Sequence, residues 1–165
     1  MSNPLGRFAS DVQDDGDGDP VRIVLRAVPL RLWARTAEHH DELMREMALL
    51  ALAPEPPSLP KRLTELVAIL GQQYRTAANR PDEERDEALA RGLDRIDLTF
   101  EVPPQAGADA ARMRELFDEA EDYCRTELLT LARPPEQTAF ARWYIEEFIR
   151  QAAGHPPIPW PGPWD

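Results

Sequence analysis

The sequence predicts an α+β protein that is mainly helical, built from two β-α-α modules related by a pseudo-twofold axis. Two short alternating runs that each close with Val-Pro predict the strands, and a long amphipathic pattern after each run predicts the helices. A Leu-Leu-x-Leu-Ala run also recurs, at 49–53 and at 128–132. Internal similarity of this kind predicts a four-helix core carrying a two-stranded antiparallel sheet.

The two strands are predicted at 21–28 and 96–102, where apolar and charged side chains alternate. An antiparallel register in which paired residue numbers sum to 123 matches apolar residues on one face and opposite charges on the other. The facing pairs are then Arg22 with Glu101, Ile23 with Phe100, Leu25 with Leu98, and Arg26 with Asp97. The buried face of the first strand would carry Val21, Ile23, Leu25 and Ala27.

The spacing of the two copies differs by one residue from what this register requires. The Val-Pro ends are 74 residues apart, whereas matched strand faces require 75. Either a β-bulge absorbs the extra residue, or part of the repeat is coincidental.

Helix pairs follow both strands, and charged or proline-rich segments surround them. In the first module a second helix is predicted from Ser58 to Tyr74. The last helix is apolar around most of its circumference, so we expect it to be central or to form a subunit interface, which leaves a homodimer open. The chain is expected to form an acidic disordered tail (1–20), one domain (21–153) and a Pro/Trp-rich tail (154–165). Within the domain, a charged linker with one short helix (80–95) joins module one (21–79) to module two (96–153).

Composition narrows the classes of function. A net charge of −11 argues against a broad nucleic-acid surface and against docking on anionic lipid. The sequence shows no secretion signal and no membrane-spanning run, and its one cysteine, Cys124, fits a reducing compartment. A cytoplasmic location is therefore expected.

The pair His39 and His40, with Glu42 one helical turn after His39, is the best candidate for a metal or acid–base site. Such a site would support the alternative function, a small-molecule-binding or metal-dependent enzyme with a cleft between the modules. The favoured interpretation is a partly buried His40 on the apolar stripe with a solvated neighbour. No phosphate-binding, dinucleotide-binding or nucleophile motif is present, so we assign no catalytic residue and no cofactor.

Aromatic residues near the C-terminus are the candidates for binding another protein. A proline-rich segment has little entropy to lose, and large aromatic side chains can anchor it in a groove. The competing interpretation, which we favour for the tail, is that its tryptophans fold back onto the helices, because exposed tryptophans promote aggregation. The candidate residues are Trp143, Tyr144, Trp160 and Trp164.

The segment 32–50, with Val28-Pro29 before it, resembles a run in uncharacterised regulators of high-GC bacteria. Those proteins are commonly encoded beside anti-sigma serine kinases and STAS-domain anti-anti-sigma factors. The resemblance implies a role in partner-switching control of transcription, with a STAS or anti-sigma-kinase type regulator as partner. Together with the absent catalytic motifs, it leads us to expect a cytoplasmic regulatory or adaptor protein that acts by protein–protein contact.

Overall fold

Two strands and four helices make up the part of the chain that this computed structural model describes, residues 18–51, 80–127 and 132–163. They are β1 (Val21–Pro29), α1 (Leu30–Ala51), α2 (Arg80–Ala90), β2 (Arg95–Val102), α3 (Ala106–Glu127) and α4 (Pro135–Ala152). The predicted α+β class, mainly helical with a two-stranded antiparallel sheet, is confirmed. Most of the acidic tail and the helix predicted over 58–74 lie outside the described residues.

Strands β1 and β2 pair in the predicted register over the first half of β1. Arg22 is opposite Glu101, and Ile23 is opposite Phe100. Ile23 and Leu25 are fully buried, while Arg22 and Glu101 are exposed. Because a slip of one residue would exchange the two faces, this alternation of burial excludes such a slip.

A β-bulge at Arg26 and Ala27 changes the pairing in the second half of β1. Beyond the bulge Val28 is opposite Ile96, so the predictions that Arg26 faces Asp97 and that Ala27 lies on the buried face are wrong. The inserted residue reverses the alternation, and fully buried Val28 fills the core instead. Ala27 has a φ of 56°, in the left-handed region, and its N–H donates a 2.7 Å hydrogen bond to Asp97 Oδ1.

We expect Asp97→Ala to lower the free energy of unfolding by about 1 kcal/mol, because it removes the acceptor of the Ala27 N–H. Asp97→Asn retains a carbonyl oxygen at that position and should keep most of the stability. Urea unfolding of the three proteins measures the difference. Equal stabilities for the two variants would show that this hydrogen bond does not hold the bulge.

Helix α4 lies at the centre of the core, as its apolar circumference predicts. Phe140, Tyr144 and Phe148 are fully buried and lie four residues apart, on one face of the helix. The Tyr144 ring stacks on Phe148 with centroids 5.7 Å apart, Phe148 lies 5.4 Å from Phe100 of β2, and Trp33 of α1 lies 6.4 Å from Tyr144. These aromatic contacts join α4 to the sheet and to α1, each contributing about 0.5–1.5 kcal/mol beyond the area it buries.

The charged segment between the predicted modules contains the expected short helix, α2. Gly92, with a φ of 75°, follows it. The segment is not uniformly exposed, because Ala88 is buried and the Arg85 guanidinium lies 5.4 Å from the centroid of the Trp33 ring. This cation–π contact attaches α2 to α1.

Helices α3 and α4 pack closely at Gly107. A Cβ atom at this position would lie 2.6 Å from the Ala152 Cβ, so only glycine allows the two helices to come this near.

Candidate functional site

His40, the first metal-ligand candidate, is a core residue. It is 2% exposed, and its ring meets Phe117 edge-on with centroids 5.8 Å apart. Burial, and then the positive charges of Arg133 and His39, lower the pKa of His40 from 6.5 to about 3. At neutral pH the imidazole is therefore uncharged and packs against an aromatic ring.

The two other candidates do not join His40 in a site. Glu42 is exposed, and half-buried His39 lines a cavity of about 20 Å³, which holds about one water molecule. Within residues 18–51, 80–127 and 132–163, no group of three or more His, Cys, Asp or Glu side chains is placed to hold a metal ion. The cavity beside His39 is too small to admit a substrate.

Cys124 lines the same cavity and is poorly suited to be a nucleophile. Burial raises the pKa of its thiol, Arg133 opposes that effect and Glu121 reinforces it. The reactive form of cysteine is the thiolate, which a raised pKa disfavours. Cys124 therefore acts as a small apolar residue of the α3 face.

The C-terminal segment folds back over α4 and β1. Trp160 is 5% exposed, and its ring lies 5.6 Å from Phe140 and 5.5 Å from Trp143. Its backbone N–H donates a 3.1 Å hydrogen bond to the Arg26 carbonyl of β1. The fold-back interpretation is thus the one observed for Trp160, and Trp164 lies outside the described residues.

Buried Glu147 anchors this segment. Its Oε2 accepts hydrogen bonds from the Ile158 N–H at 2.8 Å and from Gln151 Nε2 at 2.9 Å, and its Oε1 accepts one from Arg150 at 3.0 Å. Trp143 Nε1 donates to the Ile158 carbonyl at 3.1 Å. These hydrogen bonds replace those that the Glu147 carboxylate would make with water, and so offset the cost of burying it.

The predicted aromatic partner site is not displayed at the surface. Tyr144 is fully buried, Trp160 is nearly so, and only Trp143 is half-buried. Because these rings form the core of α4 and its cover, another protein could reach Tyr144 or Trp160 only after the C-terminal segment had separated from the body.

An open groove of about 510 Å³ lies along β1, beside the strand edge that the Gln151 side chain bonds. Arg22 and Arg26 are exposed there, and the ion pairs among the described residues include neither of them. The ion pair expected between Arg22 and Glu101 is therefore not formed, although the two residues face each other. The groove, which we call the β1 groove, is lined by Arg22, Val24, Arg26, Gln151, Gly154, His155 and Pro157.

Two groups already cover part of the β1 edge that faces this groove. The Gln151 side chain bonds both backbone groups of Val24, accepting from its N–H at 2.9 Å and donating to its carbonyl at 2.9 Å. The backbone N–H of Trp160 donates one hydrogen bond to the Arg26 carbonyl. Because every second residue of an edge strand turns its backbone outward, the Arg22 N–H and carbonyl point to the same edge. No described residue bonds them there.

Sequence reasoning missed this groove. It assigned Arg22 and Arg26 to ion pairs across the sheet, and it gave Gln151 no role. The available signal was the two-stranded sheet itself, because each of its strands must have an unpaired edge that the protein covers or uses.

No helix among the described residues has the length and hydropathy needed to cross a lipid bilayer. Comparison with protein-family models, curated proteins and solved structures found no match.

Proposed function

We propose that this chain is a cytoplasmic regulatory or adaptor protein that acts by contact with another protein, and that the contact is made in the β1 groove. The observation that carries the proposal is a groove along an edge strand that is lined by two exposed arginines, Arg22 and Arg26. Exposed sheet edges bind extended segments of other proteins, with backbone hydrogen bonds giving affinity and side chains giving specificity.

The region around His39 and His40 favours protein binding over the alternative function, an enzyme with its site near these histidines. The cavity there has a volume of about 20 Å³, far below the roughly 300–1,000 Å³ of ligand pockets. The β1 groove, at about 510 Å³, is open along a strand and does not enclose a small molecule.

The proposal also covers the class of the partner protein and the pseudo-twofold arrangement of the two modules. The resemblance of segment 32–50 to regulators encoded beside partner-switching proteins supports a STAS or anti-sigma-kinase type regulator as the partner. The matching Val-Pro and Leu-Leu-x-Leu-Ala runs support a pseudo-twofold arrangement, in which the helix predicted over 58–74 corresponds to α4.

Photo-crosslinking in cells tests the function. A benzoyl-phenylalanine replacing Val24 in the groove should give a discrete adduct with one other protein, and the same group replacing exposed Arg91 at the end of α2 should not. Adding Arg22→Gln to the Val24 probe should reduce the adduct. A Val24 probe that gives no adduct, or the same adducts as the Arg91 probe, contradicts the proposed function.

A further inference from the structure

We propose that the β1 groove binds an extended acidic peptide segment that carries two carboxylates four residues apart. This inference rests on the proposed function and names the chemistry of the partner.

The two arginines set the spacing of the ligand's charges. Arg22 and Arg26 are four residues apart on a strand, which at about 3.3 Å per residue separates them by about 13 Å. An extended peptide has the same repeat, so acidic residues at positions i and i+4 can reach both guanidinium groups. Arginine binds carboxylates through two parallel hydrogen bonds, which favours Asp or Glu at both positions.

The backbone at Arg22 favours an extended ligand. Its N–H and carbonyl face the groove, where a neighbouring strand would supply partners. Gln151 and Trp160 already cover Val24 and Arg26, so a ligand can add ladder hydrogen bonds only near the Arg22 end of the groove. Recognition must therefore depend on the two charged side chains more than on a long β-ladder.

Charge disfavours two other occupants. A second copy pairing through the same edge would bring the arginines of both chains together, and facing like charges destabilise strand pairs. A nucleic acid would meet Asp97 and Glu101 on the exposed face of the adjacent strand, in a chain of net charge −11. A short acidic peptide lying along the outer edge of β1 would be separated from those carboxylates by the width of the strand, whereas the wider phosphate backbone of a nucleic acid would extend over both strands.

Fluorescence anisotropy with the full-length chain tests the inference. The probe is a dye-labelled nine-residue peptide of alternating Thr and Val in which Asp replaces the third and seventh residues. We expect saturable binding that weakens about a hundredfold when both Asp are changed to Asn, since the charge-assisted hydrogen bonds to both arginines are lost. Binding should also weaken in about 0.5 M NaCl, because salt screens exposed charges.

Three arginine-to-glutamine variants test whether the acidic peptide binds in the β1 groove. Arg22→Gln and Arg26→Gln should each weaken the acidic peptide about tenfold and leave the Asn peptide unaffected. Arg91→Gln, which removes an exposed arginine outside the groove, is the matched control and should bind like the unmodified chain. A peptide with Asp at the third and fourth residues should bind more weakly than the i, i+4 peptide.

Four outcomes would overturn the inference. The first is equal binding of the Asp and Asn peptides, and the second is insensitivity to both groove variants. The third is tighter binding of a labelled oligothymidine than of the acidic peptide. The fourth is binding that emerges only when the aspartates of the chain's own N-terminal segment are changed to Asn, which would assign the groove to that segment. If Val24 crosslinks form while the acidic peptide fails to bind, the proposed function stands and only the acidic ligand is rejected.

Discussion

Trp160→Ala should lower the free energy of unfolding by about 3–5 kcal/mol, the range typical of truncating a buried tryptophan or phenylalanine. The side chain is 5% exposed and covers Phe140 and Trp143, and its Nε1 donates a 2.8 Å hydrogen bond to the Pro163 carbonyl. Its loss would leave a cavity over α4 and would also loosen the strand edge at Arg26. Urea unfolding followed by far-ultraviolet circular dichroism measures the change without depending on tryptophan fluorescence.

Ile158→Ala is the matched control for this experiment. Ile158 belongs to the same C-terminal segment but is 45% exposed, so its truncation should change stability by less than about 1 kcal/mol. If Trp160→Ala destabilises the protein no more than the control does, the C-terminal segment is not part of the core.

The second large effect is the dependence of stability on pH through His40. The folded protein lowers the pKa of His40 from 6.5 to about 3, so the unfolded chain binds more protons between those two values. The contribution of neutral His40 to the free energy of unfolding is fully present above pH 6.5. It is lost as the pH falls below that value, by up to about 1.4 kcal/mol for each pH unit. His40→Leu removes the titrating group and should flatten the dependence.

The measurement compares unfolding free energies of the unmodified protein and of His40→Leu at several pH values from 7 down to 4. Carboxylates titrate in both proteins, so the difference between the two curves isolates His40. Parallel curves for the unmodified protein and His40→Leu would contradict the burial of a neutral imidazole.

Local patterns were sufficient to predict the strands, the register of the first half of β1 and the central helix. Ile23 and Phe100 face each other in the pairing that buries both apolar faces and also places Arg22 opposite Glu101. The one-residue mismatch of the repeat pointed to a bulge. Its position could not be derived, because it depends on how Asp97 reaches the Ala27 N–H and on which valine fills the core.

The candidate site was harder to predict because it joins distant parts of the chain. The β1 groove combines strand residues with Gln151 and His155, which meet only because the chain reverses after α4. Gly154, with a φ of 86°, permits that reversal. The same turn carries Trp160 into the core, which no local pattern of prolines and tryptophans distinguishes from an exposed docking segment.

The most direct test of the account is a nuclear magnetic resonance titration of the full-length, ¹⁵N-labelled chain with the i, i+4 acidic peptide. We predict that the largest shifts occur at the Arg22 amide, the Gln151 side-chain amide and the backbone amide of His155, with little change at His39 or Cys124. Shifts centred on α1 around His39, or none along β1, would contradict binding in the β1 groove.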